Sequence, residues 1–138
     1  RRVSPARGKK FSLVVMNQAL FAEIDQARQK MYQHIYPGAP EPPFAVLATL
    51  KRLSRQARRV GDTSLTIWAY SLIASGYKSY PGYVGTALRW YRKAQRLEPD
   101  CAIHHLSIAS CLLKLGRRSD CNEHLRRARQ LGAVTQAR

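Results

Sequence analysis

Apolar side chains recur every three or four residues along most of this 138-residue chain, which is the spacing of one face of an α-helix. The first run predicts one long amphipathic helix over residues 11–36, whose apolar positions are Leu13, Met16, Leu20, Ile24, Ala27, Met31 and Ile35. Residues 1–10 lack this periodicity and carry five basic side chains, so we interpret them as an extended basic arm. Residues 37–43 contain four prolines, which end the helix and form a linker.

The later apolar positions predict five further helices within residues 44–133, followed by a polar tail at residues 134–138. In the first of these helices the apolar positions are Val46, Leu50, Leu53, Ala57 and Val60. Glycines and capping residues separate the helices: Gly61 ends one helix and Asp62 begins the next. No segment has the alternation of a strand, so the predicted fold class is all-α.

Other short connections have their own turn chemistry. Pro81 and Gly82 suit the central positions of a type II turn. Asp100 and Asp120 lie near the predicted starts of the last two helices, and we interpret them as helix caps.

Two segments repeat one another at a fixed distance. The pattern Ala87-x3-Tyr91-x2-Ala94 recurs 34 residues later as Cys121-x3-Leu125-x2-Ala128. The preceding helices match as well, since Tyr70-x2-Ile73-Ala74-x2-Tyr77 is followed by His105-x2-Ile108-Ala109-x2-Leu112. The chain therefore contains two copies of a helical hairpin, with one extra residue in the turn of the first copy.

These positions resemble the tetratricopeptide repeat family over about residues 66–133, and Pro99 matches the proline that ends such a repeat. The resemblance implies antiparallel helical hairpins stacked as a short solenoid. It implies repeat packing by Tyr70, Ile73, Ala74, Ala87, Tyr91, Ala94, Ala109, Leu125 and Ala128. The copies depart from the family pattern, because Tyr70 and His105 replace Trp, Cys121 replaces Ala, and Ala133 replaces the second terminal Pro.

A narrower similarity joins the run from Trp68 to Leu72 to the tetratricopeptide adaptors of mitochondrial fission. No run approaches the roughly 18 consecutive apolar residues of a membrane-spanning helix, so we expect no transmembrane segment.

The charge of the chain indicates that the predicted helical domain binds a partner. With 24 Lys and Arg against 8 Asp and Glu, its formal net charge is +16, which suits a polyanion such as RNA. The stretch from Glu41 to Asp62 has no internal acid, and Arg58 belongs to its basic face. As RNA phosphate contacts we select Lys51, Arg52, Arg55, Arg59, Arg89, Arg92, Lys93 and Arg96.

The same charge would attract an acidic protein or allow peripheral contact with an anionic lipid surface. Among the aromatic residues, Tyr80 and Tyr83 lie in a turn and are candidates for exposed stacking on bases, whereas Trp90 is expected in the core.

The residues that could support chemistry are few. Cys101, Cys111 and Cys121 are an odd number of thiols, which argues against a disulfide framework and for a reducing compartment. Cys101 with His104 and His105, and Cys121 with His124, have partial zinc-ligand spacing. The repeat register instead makes Cys121 and His105 packing residues, so we expect no metal, no cofactor and no enzymatic activity.

Together these features predict a non-catalytic helical-repeat scaffold within a larger assembly of protein subunits and RNA. The favoured assembly is an organellar, mitochondrial ribosome or another ribonucleoprotein, because the Arg-rich, acid-free start is compatible with the remnant of an import segment. The alternative is a protein-binding adaptor or accessory subunit of a mitochondrial membrane complex, which is the usual kind of role in the family that the chain resembles.

Overall fold

The computed structural model describes residues 5–36 and 38–132, with side chains from Val15 onward. The described residues form six α-helices and no strand: α1 (Pro5–Ile35), α2 (Phe44–Arg59), α3 (Thr63–Lys78), α4 (Val84–Leu97), α5 (Ala102–Lys114) and α6 (Arg118–Gln130). A short 3-10 helix, Pro81–Tyr83, precedes α4. The predicted all-α fold class is confirmed.

The helices pair in chain order into three antiparallel hairpins, α1 with α2, α3 with α4 and α5 with α6, because the connections between them are short. Consecutive hairpins also pack together, with α2 against α3 and α4 against α5, while α1 reaches both α2 and α3. A continuous apolar core runs through the stack, and its fully buried members include Ile24, Leu50, Ile73, Ile108 and Leu112. This is a repeat-like helical architecture.

Small residues lie where the helices approach closely. Ala74, Ala87, Ala94, Ala109 and Ala128 are all buried, as are Tyr70, Ile73 and Tyr91. Leu125 is half-buried on α6, whose main packing partner is α5. The burial of these side chains follows from their spacing, while their roles in a tetratricopeptide repeat remain a prediction.

Gly76 fixes how α3 sits against the first hairpin. A Cβ atom at this position would lie 2.6 Å from Cδ2 of Leu47 and 3.0 Å from the sulfur of Met31. The lack of a side chain therefore lets α3 approach α2 and α1 together.

The turn between α2 and α3 has the predicted chemistry. Gly61 has a φ of +76°, and the Asp62 amide donates to the carbonyl of Ala57 at 3.0 Å. The Asp62 side chain accepts a 3.0 Å hydrogen bond from the amide of Leu65 and so caps α3. These bonds turn the chain within a few residues.

Other local predictions are wrong. The helix α1 begins at Pro5, so residues 5–10 are helical and not an extended arm; residues 1–4 lie outside the described part. Proline is tolerated in a first helical turn, and the basic residues after it are helix formers. Residues 133–138, with Ala133 and the predicted tail, also lie outside the described part.

The turn before α4 and the caps of α5 and α6 also differ from the predictions. Pro81 and Gly82 begin a 3-10 helix in which the Tyr83 amide donates to the carbonyl of Tyr80 at 2.8 Å. A type II turn would share this bond but needs a positive φ at Gly82, and Gly82 is not among the described glycines with a positive φ. Asp100 does not cap α5, whose N-cap residue is Cys101. Asp120 lies inside the first turn of α6 and accepts hydrogen bonds from Arg117 instead.

A candidate polyanion-binding surface

The basic side chains of α2 differ in how deeply they are buried. Lys51 is half-buried: its Nζ donates a 2.7 Å hydrogen bond to the hydroxyl of Tyr77 on α3 and lies 5.7 Å from the Trp90 ring centroid on α4. Arg52, Arg55 and Arg59 are exposed and lie further around the helix. The side chain of Lys51 therefore reaches from α2 toward both α3 and α4. The three arginines lie on the outer side of α2 and enlarge the positive surface.

The α4 helix supplies the facing charges. The Lys93 Nζ lies 4.3 Å from the Trp90 ring centroid and 5.6 Å from that of Tyr70, within the range of cation–π contacts. Arg89 and Arg96 are exposed on the same helix. Trp90 is half-buried, so its predicted place in the core is only partly correct. Two lysines from different helices share its ring.

Arg92 differs from these cations in its surroundings. It is half-buried on the other flank of α4, where its charge is one of the causes that lower the pKa of His124 on α6. Burial is the largest cause of that lower pKa, and the neighbouring His105 comes second. Arg92 and Lys93 point about 100° apart on a helix, so the predicted stripe is broad: Lys93 lies at its α2 edge and Arg92 at its α6 edge, with Arg89 and Arg96 between them.

Carboxylates do not neutralise these cations. Among the described residues, none of the eight selected side chains forms an ion pair with Asp or Glu. The described carboxylates that do have cationic or imidazole partners are Asp25, Asp120 and Glu123, each paired with an arginine of its own helix or its cap, and Glu98, which contacts His104. Arg52 and Arg89 contact only Gln56 and Thr86 of their own helices, each at 3.4 Å. The positive charge is thus available to an external anion.

A cleft of about 200 Å³ lies between the second halves of α2 and α4, and we name it the α2/α4 cleft. Its lining residues are Arg58, Tyr70, Lys93, Arg96 and Leu97. Arg58 was not among the selected contacts, although it lies seven residues after Lys51 and therefore on the same helical face. The helical spacing was sufficient to select Arg58. The presence of Tyr70 in the cleft could not be predicted, because it depends on how α3 packs beneath α2 and α4.

The aromatic residues at the other end of the surface differ from the prediction. Tyr80 is buried, so its predicted role in exposed stacking is wrong. Tyr83 is 36% exposed and stacks on Tyr77 with 5.7 Å between ring centroids. Phe44, which the sequence did not single out, is 43% exposed and lies edge-on to Tyr83. An aromatic pair therefore lies at the start of α2 and α4.

The zinc ligands considered from the sequence do not assemble as one set. Side-chain donors of Glu98, Cys101 and His104 lie within 4.8 Å of one another, and His104 Nε2 lies 2.8 Å from Glu98 Oε1. His105 and His124 form a separate pair, with their Nδ1 atoms 3.0 Å apart. If a metal were held in the described part of the chain, the first three residues offer the ligands.

The three cysteines are free, and Cys111 and Cys121 are buried. Burial raises the pKa of the Cys111 thiol above its usual value, so this side chain is a packing group and not an activated nucleophile.

Within residues 5–36 and 38–132, no helix is sufficiently long and apolar to cross a membrane. No protein-family model matches the sequence, and no curated protein is significantly similar to it.

Proposed function

We propose that this chain is a non-catalytic helical-repeat scaffold that binds the backbone phosphates of RNA as a subunit of a larger assembly. The binding surface extends over the outer sides of α2 and α4, with the α2/α4 cleft at one end and the Phe44 and Tyr83 pair at the other. A mitochondrial ribosome or another organellar ribonucleoprotein is the proposed setting.

The observation that carries this proposal is the set of cations on α2 and α4 without carboxylate partners. Surface arginines and lysines of a neutral scaffold are commonly balanced by neighbouring acids, whereas no Asp or Glu among the described residues forms an ion pair with a cation of this surface. Concentrating uncompensated charge costs folding free energy, since like charges repel. A polyanion that releases its counterions on binding recovers that cost.

RNA is favoured over duplex DNA by the aromatic residues. Exposed rings can stack on unpaired bases, and single strands offer such bases while an intact duplex does not. Phe44 and Tyr83 are placed beside Lys51 through Tyr77, so a strand bound along the cations would bring a base near these rings.

Binding of a fluorescent single-stranded RNA, measured by anisotropy from 50 to 300 mM KCl, tests the proposal. If about six phosphates are contacted, the logarithm of the binding constant should fall against the logarithm of salt with a slope of roughly −4. Replacing Arg52, Arg55 and Arg89 by Gln should make that slope shallower by about 2. A slope near zero for the unaltered protein would exclude phosphate binding.

The matched control removes the same charge from α6. Arg118, Arg127 and Arg129 are exposed and lie outside the surface, so their replacement by Gln lowers the net charge equally. An equal loss of affinity in both triple variants would show that only overall charge matters. Tighter binding to anionic lipid vesicles than to RNA at the same salt concentration would assign the surface to a membrane instead.

A second candidate function is a protein-binding adaptor, and exposed apolar residues on α1 favour it. Val15, Met16 and Phe21 are all exposed, and the Phe21 ring lies 5.0 Å from that of Trp68 on α3. Such a group of apolar side chains is typical of a protein contact. Ribonuclease treatment before purification separates the two functions, because partners that remain after digestion would support the adaptor and partners that are lost would support RNA binding.

A further inference from the structure

Every polar side chain that lines the α2/α4 cleft can donate a hydrogen bond. Arg58 comes from the last turns of α2, Lys93 and Arg96 from α4, and Tyr70 from α3 beneath them. No carboxylate lines the cleft, and none of its three cations forms an ion pair with a described Asp or Glu. This lining is complementary to an oxyanion and repels a metal cation.

Tyr70 gives the cleft a donor that a mere patch of surface charge lacks. Its side chain is buried, and its hydroxyl oxygen accepts a 3.3 Å hydrogen bond from Nη1 of Arg58. Because Arg58 uses a lone pair of that oxygen, the hydroxyl hydrogen remains available to an acceptor in the cleft. The bond also holds the Arg58 guanidinium at the wall of the cleft.

The cations are positioned before any ligand arrives. Lys93 lies over the rings of Trp90 and Tyr70, and Arg58 is bonded to Tyr70, so two of the three lose less side-chain entropy on binding. The buried ring of Tyr70 also excludes water from one side of the cleft.

We propose that the α2/α4 cleft is a subsite for one phosphate group, held by Arg58, Lys93, Arg96 and the Tyr70 hydroxyl. This inference rests on the proposed RNA-binding function and identifies one anchored phosphate within it. The phosphate belongs to a nucleic acid backbone, since further cations follow on both helices and would meet the next phosphates along a strand.

The surroundings of the cleft fit a nucleotide and not an isolated phosphate ion. A second cleft of about 200 Å³ adjoins the first and shares Arg58 and Leu97 with it. Its other lining residues are uncharged: Gly61, Thr63 and Thr66. The sugar attached to an anchored phosphate would find polar but neutral space there.

Single substitutions with a matched control test the subsite. R58Q removes a cation of the cleft, Y70F removes only the hydroxyl while keeping the packed ring, and R52Q removes an equal charge from the same helix outside the cleft. At one salt concentration R58Q should weaken RNA binding by more than about tenfold, because a charged hydrogen-bond partner is lost. Y70F should weaken it severalfold and R52Q by about threefold or less, and thermal unfolding of each variant checks that the fold is intact.

A second measurement does not depend on RNA. In ¹⁵N-labelled protein, the Nε–Hε resonances of Arg58 and Arg96 should shift together and saturate as inorganic phosphate is added, while that of Arg52 should not. The short RNA should shift the same two resonances at a much lower concentration.

The outcomes separate this inference from the proposed function. If the unaltered protein binds RNA but R58Q and Y70F behave like R52Q, the cleft is not a subsite and the broader function stands. If RNA does not bind while phosphate shifts Arg58 and Arg96 saturably, the phosphate site is supported and the RNA function falls. Phosphate shifts that spread equally over all arginines would overturn the subsite.

Discussion

Lys51 of α2 donates a 2.7 Å hydrogen bond from its ammonium group to the hydroxyl of Tyr77 on α3, and so joins the first hairpin to the second. The same ammonium group lies 5.1 Å from the centre of the Tyr77 ring and 5.7 Å from that of Trp90. A cation selected as an RNA contact is therefore also part of the packing between helices. Its substitution should affect both stability and binding.

Replacing Lys51 by Met keeps the aliphatic stem but removes the donor, and we expect the free energy of unfolding to fall by about 1 kcal/mol. Y77F should cost a similar amount because it removes the acceptor. Urea unfolding of both single variants and of the double variant measures the coupling between the two side chains. Additive losses would mean that the hydrogen bond contributes nothing to stability.

A second prediction concerns the close approach at Gly76. G76A places a methyl group 2.6 Å from Cδ2 of Leu47, so the free energy of unfolding should fall by about 1–3 kcal/mol through overpacking. The double variant with L47A should recover part of this loss relative to L47A alone, because the methyl group then enters vacated space.

Gly85 on α4 provides the matched control, since a Cβ atom there meets nothing within 4 Å. G85A should raise the free energy of unfolding by up to about 1 kcal/mol, because alanine has less freedom to lose in a helix. Equal effects of G76A and G85A in urea unfolding would contradict the proposed role of Gly76.

The sequence was sufficient for the helices because each packs one apolar face, and that face repeats at helical spacing. Ala87, Tyr91 and Ala94 illustrate this: all three are buried, and all three were found from their spacing and its echo after 34 residues. Helix ends are harder to locate, because a helix can extend beyond the residues whose apolar spacing marks it: α1 begins at Pro5, and Asp120 lies inside the first turn of α6.

The candidate site was less predictable because it depends on how neighbouring helices are rotated against one another. Spacing identified the basic faces of α2 and α4, but it could not show that Lys93 turns toward α2 while Arg92 turns toward α6. It also could not show that Tyr70, assigned to packing, presents its hydroxyl to Arg58. Such contacts join residues on different helices, and the spacing of residues along a single sequence does not indicate which helices lie side by side or how they are rotated.

The breadth of the basic stripe on α4 leads to a third prediction. R89Q and R92Q remove one charge each from the same helix, but Arg89 is exposed near the proposed surface while Arg92 lies near His124. R89Q should make the salt dependence of RNA binding shallower by about 0.7, whereas R92Q should leave it nearly unchanged.

R92Q should have a different effect that nuclear magnetic resonance can follow. Because the Arg92 charge helps to lower the pKa of His124, its removal should raise the pKa of His124, and R89Q should not. If R89Q and R92Q weaken RNA binding equally, the placement of a cation across the stripe does not govern function.

The pair formed by His105 and His124 predicts that acid destabilises the protein. Burial first, and then the His105 and Arg92 charges, lower the pKa of His124 below 6.5, while Glu123 and Asp120 act in the opposite direction. The unfolded chain therefore binds more protons than the folded chain at pH values between the folded pKa of His124 and 6.5. Stability should fall as the pH is lowered through this window and should be regained on return to neutral pH.

The physical reason lies in the contact between the two imidazoles. Their Nδ1 atoms are 3.0 Å apart, which suits one donor and one acceptor and opposes two protonated rings. Urea unfolding at a series of pH values from 7.5 to 5 should show the decline, and it should be smaller in H124N, which cannot acquire a charge. R92Q should make the decline smaller and end it at a higher pH, because removing the Arg92 charge brings the folded pKa of His124 closer to 6.5. A decline as steep in H124N as in the unaltered protein would assign the acid sensitivity to other groups.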